Sequence, residues 1–229
     1  MTKYERYGVY YLPPEDALAD FGAAWLGWDI ARGRATAHPD IPGLPAEIAT
    51  LTETPRRYGF HATLKPPFFL AEGMDVDGLD AAIAGLCRGL PPAQADGLEL
   101  ARLSGFVALV PAGPDRWLNA LAAEVVRGLD EFRAPPSEAE LARRRQNRLS
   151  DRQTANLAAW GYPYVMDDFR FHMTLTGRLP GADGAAVMDN LRPRLAPLLP
   201  TPFRIEHLSL VGEDAERRFH LIHRYALKG

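Results

Sequence analysis

Phe60-His61-Ala62-Thr63-Leu64 and, 111 positions later, Phe171-His172-Met173-Thr174-Leu175 are two copies of one pattern. Both lie in stretches that alternate apolar with polar residues, the period of a strand buried on one face. Residues two apart on a strand point the same way. Each copy therefore sets an imidazole beside a hydroxyl on one surface and anchors Phe and Leu in a core behind it. A single His-x-Thr on a strand is ordinarily a structural pair. The extended pattern, repeated within 229 residues, reads as a duplicated functional surface.

Working outward, Tyr7 to Leu12 is a short aromatic and β-branched run closed by Pro13-Pro14, a first strand. Glu15 to Ala31 follows with Leu18, Phe21, Trp25, Leu26 and Trp28 at helical spacing, and the Gly- and Pro-bearing residues 33–54 form a surface loop. The first motif strand spans Arg57 to Lys65 and is stopped by Pro66-Pro67. Asp75 to Leu90 is helical; Leu98 to Leu103 and Phe106 to Val110 are strands meeting at Ser104-Gly105. Asp115 to Phe132 is a helix, and Ser137 to Trp160 another, with Ser150-Asp151 able to cap a new start. After the second motif strand, Phe169 to Thr176, come a helix from Asp183 to Leu199 and a closing strand pair, Phe203 to Val211 and Phe219 to Leu227. Helix, strand, strand thus follows each motif. This predicts one compact bilobal domain of α+β type over residues 1–229, with motif units at about 56–112 and 167–229.

Strand parity sets Arg57, Gly59, His61, Thr63 and Lys65 on one face of the first motif strand and Arg170, His172, Thr174 and Thr176 on one face of the second. Cations and hydroxyls around two imidazoles suit a phosphate. One neutral and one protonated ring coexist near neutrality, so one removes a proton from water or a hydroxyl while the other protonates the leaving oxygen. Hydroxyls and a cation hold the non-bridging oxygens. Neither metal nor cofactor is required.

Other features narrow the field. A net charge of -3, with 47% hydrophobic and 24% charged residues, opposes general affinity for nucleic acid. Cys87 is the single cysteine, which excludes an internal disulfide and a multi-cysteine metal site. No apolar run reaches membrane-spanning length, and the polar start is unlike a signal peptide, so a cytoplasmic location without membrane contact is expected. Parity places His220 and His223 on opposite faces, against shared metal ligation, and His38 and His207 have no recognisable partners. No glycine-rich nucleotide loop is present. Arg143, Arg144, Arg145, Arg148 and Arg152 form the densest basic run, either a solvated helix face or a contact for phosphate or RNA.

The paired motifs, with their surrounds Tyr58 to Phe68 and Gly161 to Gly177, resemble the 2H phosphoesterase superfamily, and more narrowly its branch associated with bacterial phosphonate-utilisation operons. That resemblance implies two pseudo-symmetric antiparallel-sheet lobes with outer helices and a central cleft, and metal-independent chemistry on a cyclic phosphodiester. It implies His61 and His172 as the acid–base pair and Thr63 and Thr174 as phosphate-holding hydroxyls. Arg57, Arg170 and Lys65 join the phosphate site by parity alone. The expected substrate is a small cyclic phosphate. The alternatives are RNA ends or 2′–5′ linkages held by the arginine-rich helix, and a phosphate-ligand binding protein without catalysis.

Overall fold

Both motif strands settle at the centre of one seven-stranded antiparallel sheet, and the helices cover the face to which Phe and Leu point. The computed structural model describes residues 4–145 and 148–229, without the side chains of residues 143–145. The chain runs β1 (Arg6–Tyr11), α1 (Ala17–Leu26), β2 (Trp28–Asp29), β3 (Arg34–Ala35), α2 (Ile48–Leu51), α3 (Glu53–Arg56) and β4 (Ala62–Phe68). It continues with α4 (Val76–Gly89), β5 (Ala93–Ala95), β6 (Gly97–Leu103), β7 (Phe106–Ala112), α5 (Arg116–Gly128), α6 (Glu138–Arg145) and α7 (Asp151–Trp160). The remainder is β8 (Met173–Thr174), α8 (Gly181–Leu195), β9 (Phe203–Ile205), β10 (His207–Glu213) and β11 (Phe219–Ala226).

The helices start where the chain supplies caps. Asp16 and Asp75 accept from the backbone N–H groups of Ala19 and Gly78 at the starts of α1 and α4, and Ser150 with Gln153 forms a reciprocal capping box that breaks the predicted 137–160 helix. Leu18 and Trp25 of α1, Leu79 and Ile83 of α4, Leu118 and Val125 of α5, and Val187 and Leu191 of α8 share one core with Val9, Leu64, Leu109 and Met173 of the sheet. Ser104 and Gly105 make the tight β6–β7 turn with φ of 46° and 97°, the doubly positive pattern of a hairpin whose twist matches its strands.

The sheet order is β11-β10-β1-β4-β8-β7-β6. It reads the same outward from the β4–β8 junction in both directions: β1 then β10 on one side, β7 then β6 on the other. The underlying repeat is therefore β1-α1-β4-α4-β5-β6 against β7-α5-β8-α8-β9-β10, with β11 added at one edge. The junction joins equivalent residues, Ala62 to Met173, and the small β5–β9 pair likewise joins the two equivalent short strands. The predicted motif units interleave in space: β7, from the 56–112 stretch, pairs with β8 of the 167–229 stretch. The helices cross over in the same sense. Trp25 of α1 donates its indole N–H to the Leu175 carbonyl beside β8, and the Val126 carbonyl of α5 accepts from Lys65 of β4.

Candidate active site

Phe60, Ala62 and Leu64, and likewise Phe171, Met173 and Leu175, are buried, whereas His61, Thr63, His172 and Thr174 are half-buried. The alternation read from the sequence thus holds across both motifs. A single residue pair, Ala62 with Met173, ties β4 to β8. In an antiparallel pair that register, carried one residue either way, sets His61 opposite Thr174 and Thr63 opposite His172. The four polar side chains therefore fall together at the β4–β8 junction on the sheet face away from the helices, and His172 lies near enough for its charge to act on His61.

Both rings are oriented in the same way. Nδ1 of His61 lies 2.9 Å from the Gly59 carbonyl and Nδ1 of His172 lies 2.7 Å from the Arg170 carbonyl, so in each neutral ring Nδ1–H donates and Nε2 carries the lone pair. Gly59 adopts a φ of +70°, and a Cβ there would come within 2.7 Å of Ile30; only glycine places that carbonyl under the ring. The Thr63 hydroxyl lies 3.0 Å from Nε2 of His61. Burial pushes the His61 imidazole down to about 4; the Gly59 carbonyl opposes this, and the charge of a protonated His172 lowers it further. Burial likewise lowers His172 against the pull of the Arg170 carbonyl. Both rings are thus uncharged near neutrality, and a charge on His172 makes a second charge on His61 harder to hold.

The parity expectation fails for Lys65. Tyr10 pairs with Thr63 but Val9 pairs with Lys65, so Leu64 is an extra residue, a β-bulge that turns Lys65 to the core face. The second copy carries the same device: the backbone N–H groups of Leu175 and Thr176 both donate to the Val107 carbonyl, and Thr176 is buried. Lys65 is 2% exposed and donates to the Val126 carbonyl (3.1 Å) at the C-terminal end of α5 and to Asp130 (3.4 Å). Strand β4 also runs through Pro66-Pro67 to Phe68, where the sequence predicts a stop; its pairing with β1 is irregular there because proline has no N–H to give.

Arg57 and Arg170 are exposed. Arg57 lies off the strand at the end of α3, its guanidinium 5.7 Å from the Tyr58 ring and its carbonyl accepting from Phe219. Arg170 supplies the carbonyl that orients His172. Arg152 is held by both oxygens of Asp168, at 2.6 and 3.1 Å, and Arg148 lies in the break between α6 and α7, so the predicted single basic helix face is interrupted; the side chains of Arg143, Arg144 and Arg145 lie outside the described residues. His220 and His223 share one face after all, because Ile222 is bulged, yet His220 bonds Asp214 and His223 bonds Asp80. Among the described residues no three metal-ligating side chains are gathered, and no helix is long and apolar enough to cross a membrane. Sequence reading missed Tyr10, stacked on His61 with ring centroids 3.9 Å apart, because periodicity does not say which strands become neighbours.

Lys65 yields a test of its inward placement. Burial pushes its ammonium down to about 8, partly opposed by Asp130. The unfolded chain thus binds more protons between pH 8 and about 10.4, and this site's contribution to stability rises with pH across that window, by about 3 kcal/mol. Lys65→Met is expected to erase that rise relative to wild type and to hold stability at pH 7 within about 1 kcal/mol because Arg133 still pairs Asp130. A Lys65→Met protein whose stability, by denaturant titration, still rises as wild type does between about pH 8 and 10 contradicts the placement.

Residues 63–220 match a family described as "Protein of unknown function (DUF1045)". The chain belongs to that family. Two relatives bear the name ribose 1,5-bisphosphate phosphokinase PhnN. The one from Janthinobacterium sp. (strain Marseille) is 38% identical over 216 residues, 91% of this chain and 48% of its own length. The one from Laribacter hongkongensis (strain HLHK9) is 38% identical over 181 residues, 78% of this chain and 41% of its own. The chain thus spans about half or less of the length of the curated relatives it matches. A solved phosphoesterase and an E. coli LigT complexed with 3′-AMP each cover 99% of this chain and 100% of their own, at 18% and 16% identity and TM-scores of 0.43; at that score the likeness carries nothing over to this chain. Within the chain itself, two His-x-Thr segments lie side by side at the centre of a pseudo-symmetric α+β sheet, the arrangement that the motif resemblance implies.

Proposed function

We propose that this chain is a metal-independent phosphoesterase that opens a small cyclic phosphodiester. The observation that carries the reading is the β4–β8 register, which brings both imidazoles and both threonine hydroxyls onto one half-buried patch. His61 and His172 act as the acid–base pair, Thr63 and Thr174 hold non-bridging oxygens, and Arg57 and Arg170 are the exposed cations at the ends of the motif segments. Lys65 has no part in binding. A phosphate on this patch favours the protonated form of a neighbouring imidazole, so binding itself charges one member of a pair that is neutral when free. A role in phosphonate metabolism rests on the motif resemblance alone.

Purified protein is expected to hydrolyse 2′,3′-cyclic nucleotides or a related five-membered cyclic phosphate with turnover unchanged by EDTA. The kcat/KM profile is expected to be bell-shaped with its maximum on the acid side of 6.5, because both free-enzyme imidazoles are depressed. Loss of turnover on chelation, restored by a divalent cation, overturns the reading.

A further inference from the structure

The two histidines occupy equivalent places in the sheet but unequal surroundings. The residue paired with Thr63 on β1 is Tyr10; the residue paired with Thr174 on β7 is Ala108. One imidazole therefore has a phenol beside it where the other has a methyl group. Tyr10 is wholly buried, and its ring lies 3.9 Å from the His61 ring at an interplanar angle of 21°. Tyr58 lies 6.1 Å away on the same ring. The Gly59 carbonyl, the Thr63 hydroxyl and the Tyr10 face together fix His61. His172 has the Arg170 carbonyl and the Phe106 ring at 5.6 Å, and among the described residues nothing bonds its Nε2.

The difference matters because hydrolysis asks different things of its two proton carriers. The base must hold its lone pair still while water is aligned on phosphorus, since a misplacement of about 1 Å costs on the order of 10²-fold. The acid must present a proton on an Nε2 that no other group holds, as His172 does among the described residues. Resting on the phosphoesterase reading above, we propose that Tyr10 is a positioning residue that makes His61 the base and leaves His172 the acid. With the Thr63 hydroxyl turned from Nε2 of His61 to a non-bridging oxygen, the oxygen of water bonds to phosphorus and its proton passes to that Nε2. The bond from phosphorus to the ring oxygen breaks, and that oxygen takes the proton from Nε2 of His172. Solvent then removes the proton from His61 and returns one to His172. Burial lowers both imidazoles, and the charge of a protonated His172 disfavours charge on His61, so the singly protonated pair the step requires carries its proton on His172.

Two phosphodiesters test the assignment: a 2′,3′-cyclic nucleotide, whose leaving alkoxide needs a proton, and a 4-nitrophenyl ester, whose leaving group does not. His172→Ala is expected to lose about 10²–10⁴-fold on the cyclic ester and at least tenfold less on the nitrophenyl ester, whereas His61→Ala loses the full factor on both. Tyr10→Phe keeps the ring and near-wild-type rates. Tyr10→Leu is expected to lose about tenfold or more in kcat on both esters, with the acid limb of kcat/KM displaced toward 6.5, which a purely structural role does not move. If His61→Ala spares the nitrophenyl ester, or both histidine variants lose both esters equally, the assignment is overturned. If neither histidine variant loses turnover of either ester, the phosphoesterase reading itself falls.

Discussion

Alanine at His61 or at His172 is expected to cut turnover of a cyclic phosphodiester by about 10²–10⁴-fold, while the unfolding transition at neutral pH stays within about 1 kcal/mol of wild type. The reason lies in how the patch is built. Each imidazole projects from a strand whose opposite face carries the core: Phe60, Ala62 and Leu64 behind one, Phe171, Met173 and Leu175 behind the other. Removing the ring therefore leaves the packing that sets the register intact. The two rings form a unit, so the double variant is expected to fall little further than either single variant. Acid stability supplies a second readout. Folding buries His61 with its affinity for protons reduced, from 6.5 to about 4; the unfolded chain thus binds more protons in that window, and the contribution is intact above 6.5 and lost as pH falls toward 4. His61→Ala is expected to flatten that part of the stability profile relative to wild type. Steady-state kinetics with denaturant titrations at pH 4–7 test both; near-wild-type turnover in either variant ends the case for the dyad.

The same strands show how far a sequence carries. His61, Thr63, His172 and Thr174 were legible because period-two alternation is a local property and both motifs keep it without interruption. Lys65 and Thr176 were not, because a single bulged residue after each motif reverses parity, and nothing in Leu64-Lys65 or Leu175-Thr176 announces it. The bulge at Ile222 misled the reading of His220 and His223 in the same way. Arg57 is a different case: regular strand begins only at Ala62 and the left-handed backbone of Gly59 interrupts the alternation upstream of Phe60, so parity does not place its side chain. The helix break at Ser150 was readable because a capping box is a local hydrogen-bond pattern. Which hairpin strand lies beside which motif is set by long-range closure of the sheet, and there the succession of elements along the chain pointed to contiguous units where the fold interleaves them.

The second large effect is expected far from the imidazoles, at Gly22 of α1. A Cβ at this position would lie 2.1–2.7 Å from three carbons of the Phe60 ring, and Phe60 is the buried residue immediately before His61. Helix propensity alone favours Gly22→Ala by about 1 kcal/mol. Steric exclusion wins, because α1 is held against the sheet by the Trp25–Leu175 hydrogen bond and the ring has only core around it; overpacking of this kind costs about 1–3 kcal/mol or more. Gly22→Ala is therefore expected to destabilise the protein by about 2 kcal/mol. It is also expected to lower kcat by about tenfold or more, since displacement of Phe60 is carried through one peptide unit to the His61 ring. Phe60→Leu keeps a Cγ and Cδ, the carbons nearest that Cβ, but trades a flat ring for a shorter branch that can rotate away from an alanine methyl. The pair Gly22→Ala with Phe60→Leu is accordingly expected to be more stable and more active than Gly22→Ala alone, a coupling of opposite sign to two independent injuries. A double-mutant cycle in both stability and kcat measures it, and simple additivity would show that the glycine seats nothing the active site depends on.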